Sequence, residues 1–242
     1  MNLEPSDPRY ARVHRIITSQ AVTGEHVGIE HYAAMIGLTD DPAERLALVD
    51  DAWSERRHVA VMADAAERLG LALAVARDDP YWSRVRAAFR ERVDARDLLG
   101  CRVIQDVVLE SYAVALYEQL VPVVEPWLSE RLARIAADER AHLATGVEAL
   151  RAEAPERVDA AVELANERVA RVLAEWVRPT DCAPVCAVCG EVGGGCAKDD
   201  LKAAGMDVAG LDAAFVEVYG RALRDAGLPP ERVARWLARL LP

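Results

Sequence analysis

Apolar residues recur three and four positions apart along most of the chain, the spacing that lines one face of an α-helix. From Arg9 to about Ile36 they fall at Val13, Ile16, Ile17, Ala21, Ile29 and Tyr32, and Gly37 ends the run, which predicts a first helix. Asp41-Pro42-Ala43-Glu44 then offers an N-cap acid, a proline at the first helical position and a glutamate three residues after the cap. A second helix is expected from there to about Leu69, stopped by Gly70. A polar stretch with Pro80 leads into a helical segment near Tyr81 to Val93, read as a crossover, and then a long apolar helix from about Ala95 to Val121. Pro122 and Pro126 punctuate the next turn. Another helix is expected over Trp127 to Ala152, and a further one from Pro155 to about Val177. Residues 178–198, rich in Cys, Gly and Pro, read as a loop, and Val208 to Leu240 as two amphipathic helices parted by Gly227-Leu228-Pro229-Pro230.

The chain has 242 residues and is 52% hydrophobic, enough to bury a core, so disorder is a poor reading. Ala, Leu, Val, Arg and Glu dominate and aromatics are only 5%, which favours an all-α fold. A net charge of −11 repels a phosphate backbone, and no basic stretch overcomes it, so nucleic acid is not an expected partner. No apolar run reaches the length of a membrane span, and MNLEPSDPRY has neither the basic start nor the apolar core of a signal peptide. A cytoplasmic protein with no transmembrane segment is the expectation.

Candidate chemistry lies in a repeated pattern. Glu-x-x-His occurs as Glu55-Arg56-Arg57-His58 and as Glu139-Arg140-Ala141-His142, and the spacing sets each carboxylate and imidazole on one helix face. Taken alone, the repeat only suggests a site. Glu25 precedes Glu55 by 30 residues and Glu110 precedes Glu139 by 29, with midpoints near Asp40 and Val124, where the turn signals lie. In an antiparallel hairpin, residues equidistant from the turn return to the same height. Two such hairpins give one Glu from each of two helices and Glu-x-x-His from each of the other two, the ligand set of ferritin-like dimetal carboxylate bundles. The competing reading is a set of solvent-facing salt-bridge acids. Against it, Glu110 interrupts a stripe of Val103, Val107, Ala113, Val114 and Tyr117, and Glu139 one of Leu132, Ile135 and Leu143. Four carboxylates and two imidazoles balance two divalent cations, and the mixed oxygen and nitrogen donors suit iron or manganese better than a closed zinc site. Asp51 and Asp106 each lie four residues before a candidate ligand, as hydrogen-bonding supports or as further ligands.

Thr23-Gly24-Glu25, Glu55-Arg56-Arg57-His58, Leu109-Glu110-Ser111-Tyr112-Ala113 and Asp138-Glu139-Arg140-Ala141-His142-Leu143 resemble the cyanobacterial aldehyde-deformylating oxygenases over roughly residues 10–178 and again in the tail. The resemblance implies a single ferritin-like di-iron domain of about eight helices over 1–242, with a helical tail over 199–242. It implies Glu25, Glu55, His58, Glu110, Glu139 and His142 as iron ligands, and Tyr32, Gln105, Tyr117 and Asp138 beside them. The implied activity converts a long-chain fatty aldehyde to an alkane one carbon shorter plus formate, with dioxygen as co-substrate and electrons from an external donor such as a ferredoxin system. The crossover is Arg-rich (Arg84, Arg86, Arg90, Arg92) where that family has aromatics near the substrate, so either a different small-molecule substrate or an exposed helix face is expected there. Two further readings stand beside this one: a dimetal oxygenase of specialised metabolism performing hydroxylation, N-oxygenation or C–C cleavage, and a rubrerythrin-like peroxide scavenger or iron store.

Cys182-x3-Cys186-x2-Cys189-Gly190, with Cys196 seven residues on, is not a feature of that resemblance. Four thiolates this close favour a tetrahedral zinc site, with an iron cage or free or redox-active thiols as alternatives. Cys101 sits on an apolar helix and reads as a small core residue.

Overall fold

The computed structural model describes residues 3–76, 79–177, 192 and 197–240. The described residues form helices and connecting turns, with no strand among them. Helices α1 (Pro8–Ile36) and α2 (Pro42–Arg68) make the first antiparallel hairpin, joined by a short turn. Asp7 and Asp41 cap their N-termini by accepting from the Arg9 and Ala43 amides at 2.8 and 2.9 Å. Asp79 caps α3 (Pro80–Asp94) in the same way. Each of these three helices opens on a proline, whose missing N–H costs nothing in the first turn.

The expected long apolar helix is present but interrupted. It comprises α4 (Leu98–Arg102), a π-helical segment (Val103–Leu109) and α5 (Glu110–Leu120). A 3-10 turn over Val121–Val123 leads to α6 (Pro126–Arg151), which completes the second hairpin. Then follow α7 (Pro155–Ala165), a second π segment (Asn166–Ala170), α8 (Arg171–Val177), α9 (Ala197–Ala204), α10 (Gly210–Asp225) and α11 (Pro230–Leu237). The tail thus holds one helix more than the apolar pattern predicts, because α9 is short and half of its residues are charged. All four cysteines of the clustered motif, Cys182, Cys186, Cys189 and Cys196, lie outside the described residues.

The two hairpins pack into a four-helix bundle around a core that runs from Leu3 to Leu240 and includes the fully buried Tyr32, Met35, Met62, Leu128 and Leu132. Each such side chain contributes roughly 1.5–3 kcal/mol by leaving water. Helices α9 and α10 cover α1 and α5. Cys101 is a free, buried core thiol whose pKa burial pushes up to about 12. No described helix is long and apolar enough to cross a membrane.

Close approach of α6 to the π segment depends on Gly146. A Cβ there would lie 2.6 Å from the Asp106 Cβ and 3.1 Å from its backbone, so the helices would have to part. Gly146→Ala is therefore expected to lower stability by about 1–3 kcal/mol, although alanine raises intrinsic helix propensity by about 1 kcal/mol. Urea unfolding reads the difference directly: a raised midpoint would contradict the close-approach argument.

Candidate metal centre

At mid-height, the bundle brings together Glu25 from α1, Glu55 and His58 from α2, Glu110 from α5, and Glu139 and His142 from α6. Glu25, Glu55, Glu110 and Glu139 are 6%, 3%, 3% and 1% exposed, which excludes the reading of solvated surface acids. Two groups of donors form, Glu25-Glu55-His58-Glu139 and Glu55-Glu110-Glu139-His142, each with its candidate ligand atoms within 4.8 Å of one another. Glu55 and Glu139 belong to both. The arrangement has approximate two-fold character, with an outer Glu and His at each end and two carboxylates shared between them.

Among the described residues, the ion pairs of these four carboxylates are made only with His58 and His142. His58 Nδ1 lies 3.2, 3.3 and 3.6 Å from Glu139, Glu25 and Glu55. His142 Nδ1 lies 3.1, 3.3 and 4.0 Å from Glu139, Glu55 and Glu110. Glu55 Oε1 is buried with no well-formed hydrogen bond among the described residues, His142 Nδ1 lying 3.3 Å away. Four buried acids with so little compensation are costly unless protons or cations neutralise them. Burial first, and then the charge of Glu55, pushes Glu25 up to about 8. Burial, with Glu139 and Glu55, likewise raises Glu110 well above the usual carboxylate range. Burial disfavours charge on the two imidazoles, but hydrogen bonds to the surrounding glutamates outweigh it, raising His58 strongly and His142 to about 12. The donor set thus fits two divalent cations, which would take the place of these protons.

A surrounding layer orients the donors. Both imidazoles point Nδ1 inward, and on the outward side Asp138 meets His58 Nε2 at 3.2 Å while Asp51 lies 3.9 Å from His142 Nε2. Each aspartate therefore serves the imidazole of the opposite helix. Asp106 instead accepts from Arg102 at 2.9 Å, and Arg102 continues to Glu44 at 3.0 Å. Tyr117 donates to Glu25, Tyr32 donates to Glu110 at 3.2 Å, and Gln105 Nε2 donates to the same Glu110 oxygen at 2.8 Å. Burial raises both tyrosines, so they remain neutral donors.

The Gln105 contact spans five residues. On an α-helix, residues five apart are roughly 140° apart around the axis; the π segment, with its i→i+5 bonding, brings Gln105 beneath Glu110. Gly28 provides the complementary space on α1, where a Cβ would lie 3.1 Å from the Glu55 carboxyl carbon. His31 and Gly28 leave no signal in the sequence because their neighbours, Gln105 and Glu55, are distant in the chain. The π segment leaves no mark on the apolar pattern, since every residue in it is buried.

Beside the carboxylates lies a cavity of about 60 Å³, walled by Ala21, Gly24, Trp82, Leu109, Ala113 and Leu116. Helix α3 thus supplies aromatics after all: Trp82 and Phe89 face inward. None of its arginines lines the cavity: Arg84 and Arg86 pair with Glu175 and Glu30 at 3.2 and 2.9 Å, Arg90 is exposed, and the half-buried Arg92 pairs with Asp97 at 3.5 Å. They do not reshape the cavity.

Residues 7–179 match the family described as long-chain fatty aldehyde decarbonylase. A solved structure described as protein 19 with aldehyde deformylating oxidase activity from Synechococcus superposes with a TM-score of 0.79 at 22% identity, over 98% of this chain and 100% of that one. That likeness establishes a shared ferritin-like fold.

Glu25 and His142 hold protons more tightly folded than unfolded: Glu25 between about pH 4.5 and 8, His142 between about 6.5 and 12. Stability of the metal-free protein therefore falls as pH rises through those windows. His31, pushed down to about 3 by burial, opposes this only below about pH 6.5. Thermal unfolding of metal-free protein is expected to show a falling Tm between about pH 6.5 and 8, and saturating divalent metal should abolish the fall. Parallel profiles with and without metal would count against a metal centre.

Proposed function

The chain belongs to the long-chain fatty aldehyde decarbonylase family, and from that premise we propose a di-iron oxygenase that cleaves a long-chain aldehyde into an alkane one carbon shorter and formate. The balanced reaction takes one aldehyde, one dioxygen, four electrons and four protons to alkane, formic acid and water. The observation that carries this reading is the buried set of four carboxylates and two imidazoles lying against an apolar-walled cavity.

Glu25 with His58 would hold one iron and Glu110 with His142 the other, while Glu55 and Glu139 serve both. The metals supply reduction of dioxygen. What the chain itself does is hold, orient and exclude. Asp138 fixes the ring of His58 through Nε2. Tyr117, Tyr32 and Gln105 fix the outer glutamates as acceptors. Trp82, Leu109 and Leu116 would keep water from an aldehyde group held in the small space beside the carboxylates. Manganese in place of one iron is compatible with the same donors.

Electrons come, in this reading, from an external one-electron donor such as a ferredoxin system. We further propose, from their spacing in the sequence alone, that the four clustered cysteines hold a structural zinc, and that the chain acts as one domain in the cytoplasm. Hydroxylation of another substrate and peroxide scavenging are not favoured by the family.

Iron-loaded protein given a saturated long-chain aldehyde, dioxygen and a reducing system should yield alkane and formate in equal amounts, read by gas chromatography and formate assay. Peroxide consumption without organic product would instead identify a scavenger. Glu110→Ala should abolish turnover and loading of one metal, whereas Tyr117→Phe should reduce turnover roughly 10- to 100-fold. Elemental analysis before and after changing the clustered cysteines to serine tests the zinc.

A further inference from the structure

His31 is a buried residue on α1 to which no role falls in the reaction as derived above. Its ring stacks on Phe89 of α3 at 3.6 Å between centroids and 8° between planes, which fixes the ring plane. Its Nδ1 lies 2.7 Å from Gln105 Oε1, and the other end of the same amide meets Glu110 Oε1 at 2.8 Å. A glutamine between two partners carries polarity across: whichever end faces the first decides which end faces the second.

We propose that His31 is a positioning residue that donates from Nδ1 to Gln105, turning the amide so that its NH₂ faces Glu110. The proposal rests on reading Glu110 as a metal ligand. As a carboxylate, Glu110 can only accept, and a Gln105 carbonyl turned toward it would place two acceptors face to face. The required tautomer leaves Nε2 of His31 without a proton. That nitrogen is buried and has no partner among the described residues, and an unmet lone pair costs less there than an unmet N–H. Burial keeps the ring neutral, with a pKa near 3. Gln105 reaches Glu110 only because of the π segment, so α1, α3 and that segment act together on one ligand oxygen. Glu110 Oε1 receives both Gln105 and Tyr32, which leaves Oε2 for a cation.

Metal-free protein titrated with Co(II), followed by its visible d–d absorption, tests this without turnover. Wild type should take up two equivalents. His31→Leu should weaken one of the two equivalents, that held by Glu110 and His142, about tenfold and alter its absorption band. His31→Asn, which offers an N–H close to the position of Nδ1, should restore both. The double variant His31→Leu/Gln105→Leu should bind like Gln105→Leu alone, because His31 acts only through Gln105. Additive losses in the double variant, or His31→Asn behaving as His31→Leu in a protein that unfolds at the wild-type temperature, would overturn the proposal while leaving the metal centre standing. Failure of wild type to bind two equivalents would overturn the metal reading and the proposal with it.

Discussion

Everything in this bundle answers to the burial of four carboxylates among apolar side chains, with two imidazoles as their only ion-pair partners among the described residues. Such a cluster is unfavourable in a folded chain unless protons or cations neutralise it, and each acid raises the proton affinity of the next. Opposite charge from arginine would solve the electrostatic problem and destroy the site. The chain keeps its arginines outside, on α3 and along the surface, or engages them elsewhere, as Arg102 with Asp106 and Glu44. Stability would thereby be tied to occupancy: cations held by these residues would also remove the repulsion that the fold has to bear.

Geometry follows from the same constraint. Carboxylates from four helices converge only if those helices approach closely, and two glycines permit it, Gly28 opposite Glu55 and Gly146 opposite Asp106. The π segment is the third device. It widens one turn just before Glu110, so that Gln105, Asp106 and Glu110 can all serve the interior of a helix whose other residues there are apolar. An uninterrupted α-helix would turn Gln105 away and leave Glu110 with Tyr32 as its hydrogen-bond donor.

The two halves of the centre are related but not equal. Asp138 approaches His58 closely and is partly exposed, while Asp51 stands farther from His142. Glu25 has one tyrosine donor, whereas Glu110 has a tyrosine and an amide on one oxygen. Two cations in such a site would sit in unlike surroundings. The wall of Trp82 and Leu116 lies over this centre, so substrate shape and metal environment are set by adjoining residues.

The sequence by itself determined the helices, their turns and the six central residues, because helical periodicity, caps and the Glu-x-x-His spacing are local signals that survive in one dimension. Equal distances from two turns were enough to pair Glu25 with Glu55 and Glu110 with Glu139. Tyr32, Gln105, Tyr117 and Asp138 were reachable only through a family resemblance, since nothing local marks them. Tertiary structure alone decided that Asp51 and Asp138 each serve the imidazole of the opposite hairpin, that Asp106 turns to Arg102, and that Trp82 and Phe89 rather than the arginines face inward. It also decided the π segment and the role open to His31. These depend on helix phase and, the Asp106–Arg102 pair apart, on contacts between residues distant in the chain, such as the 74 positions between His31 and Gln105, and apolar periodicity carries no information about which buried faces meet.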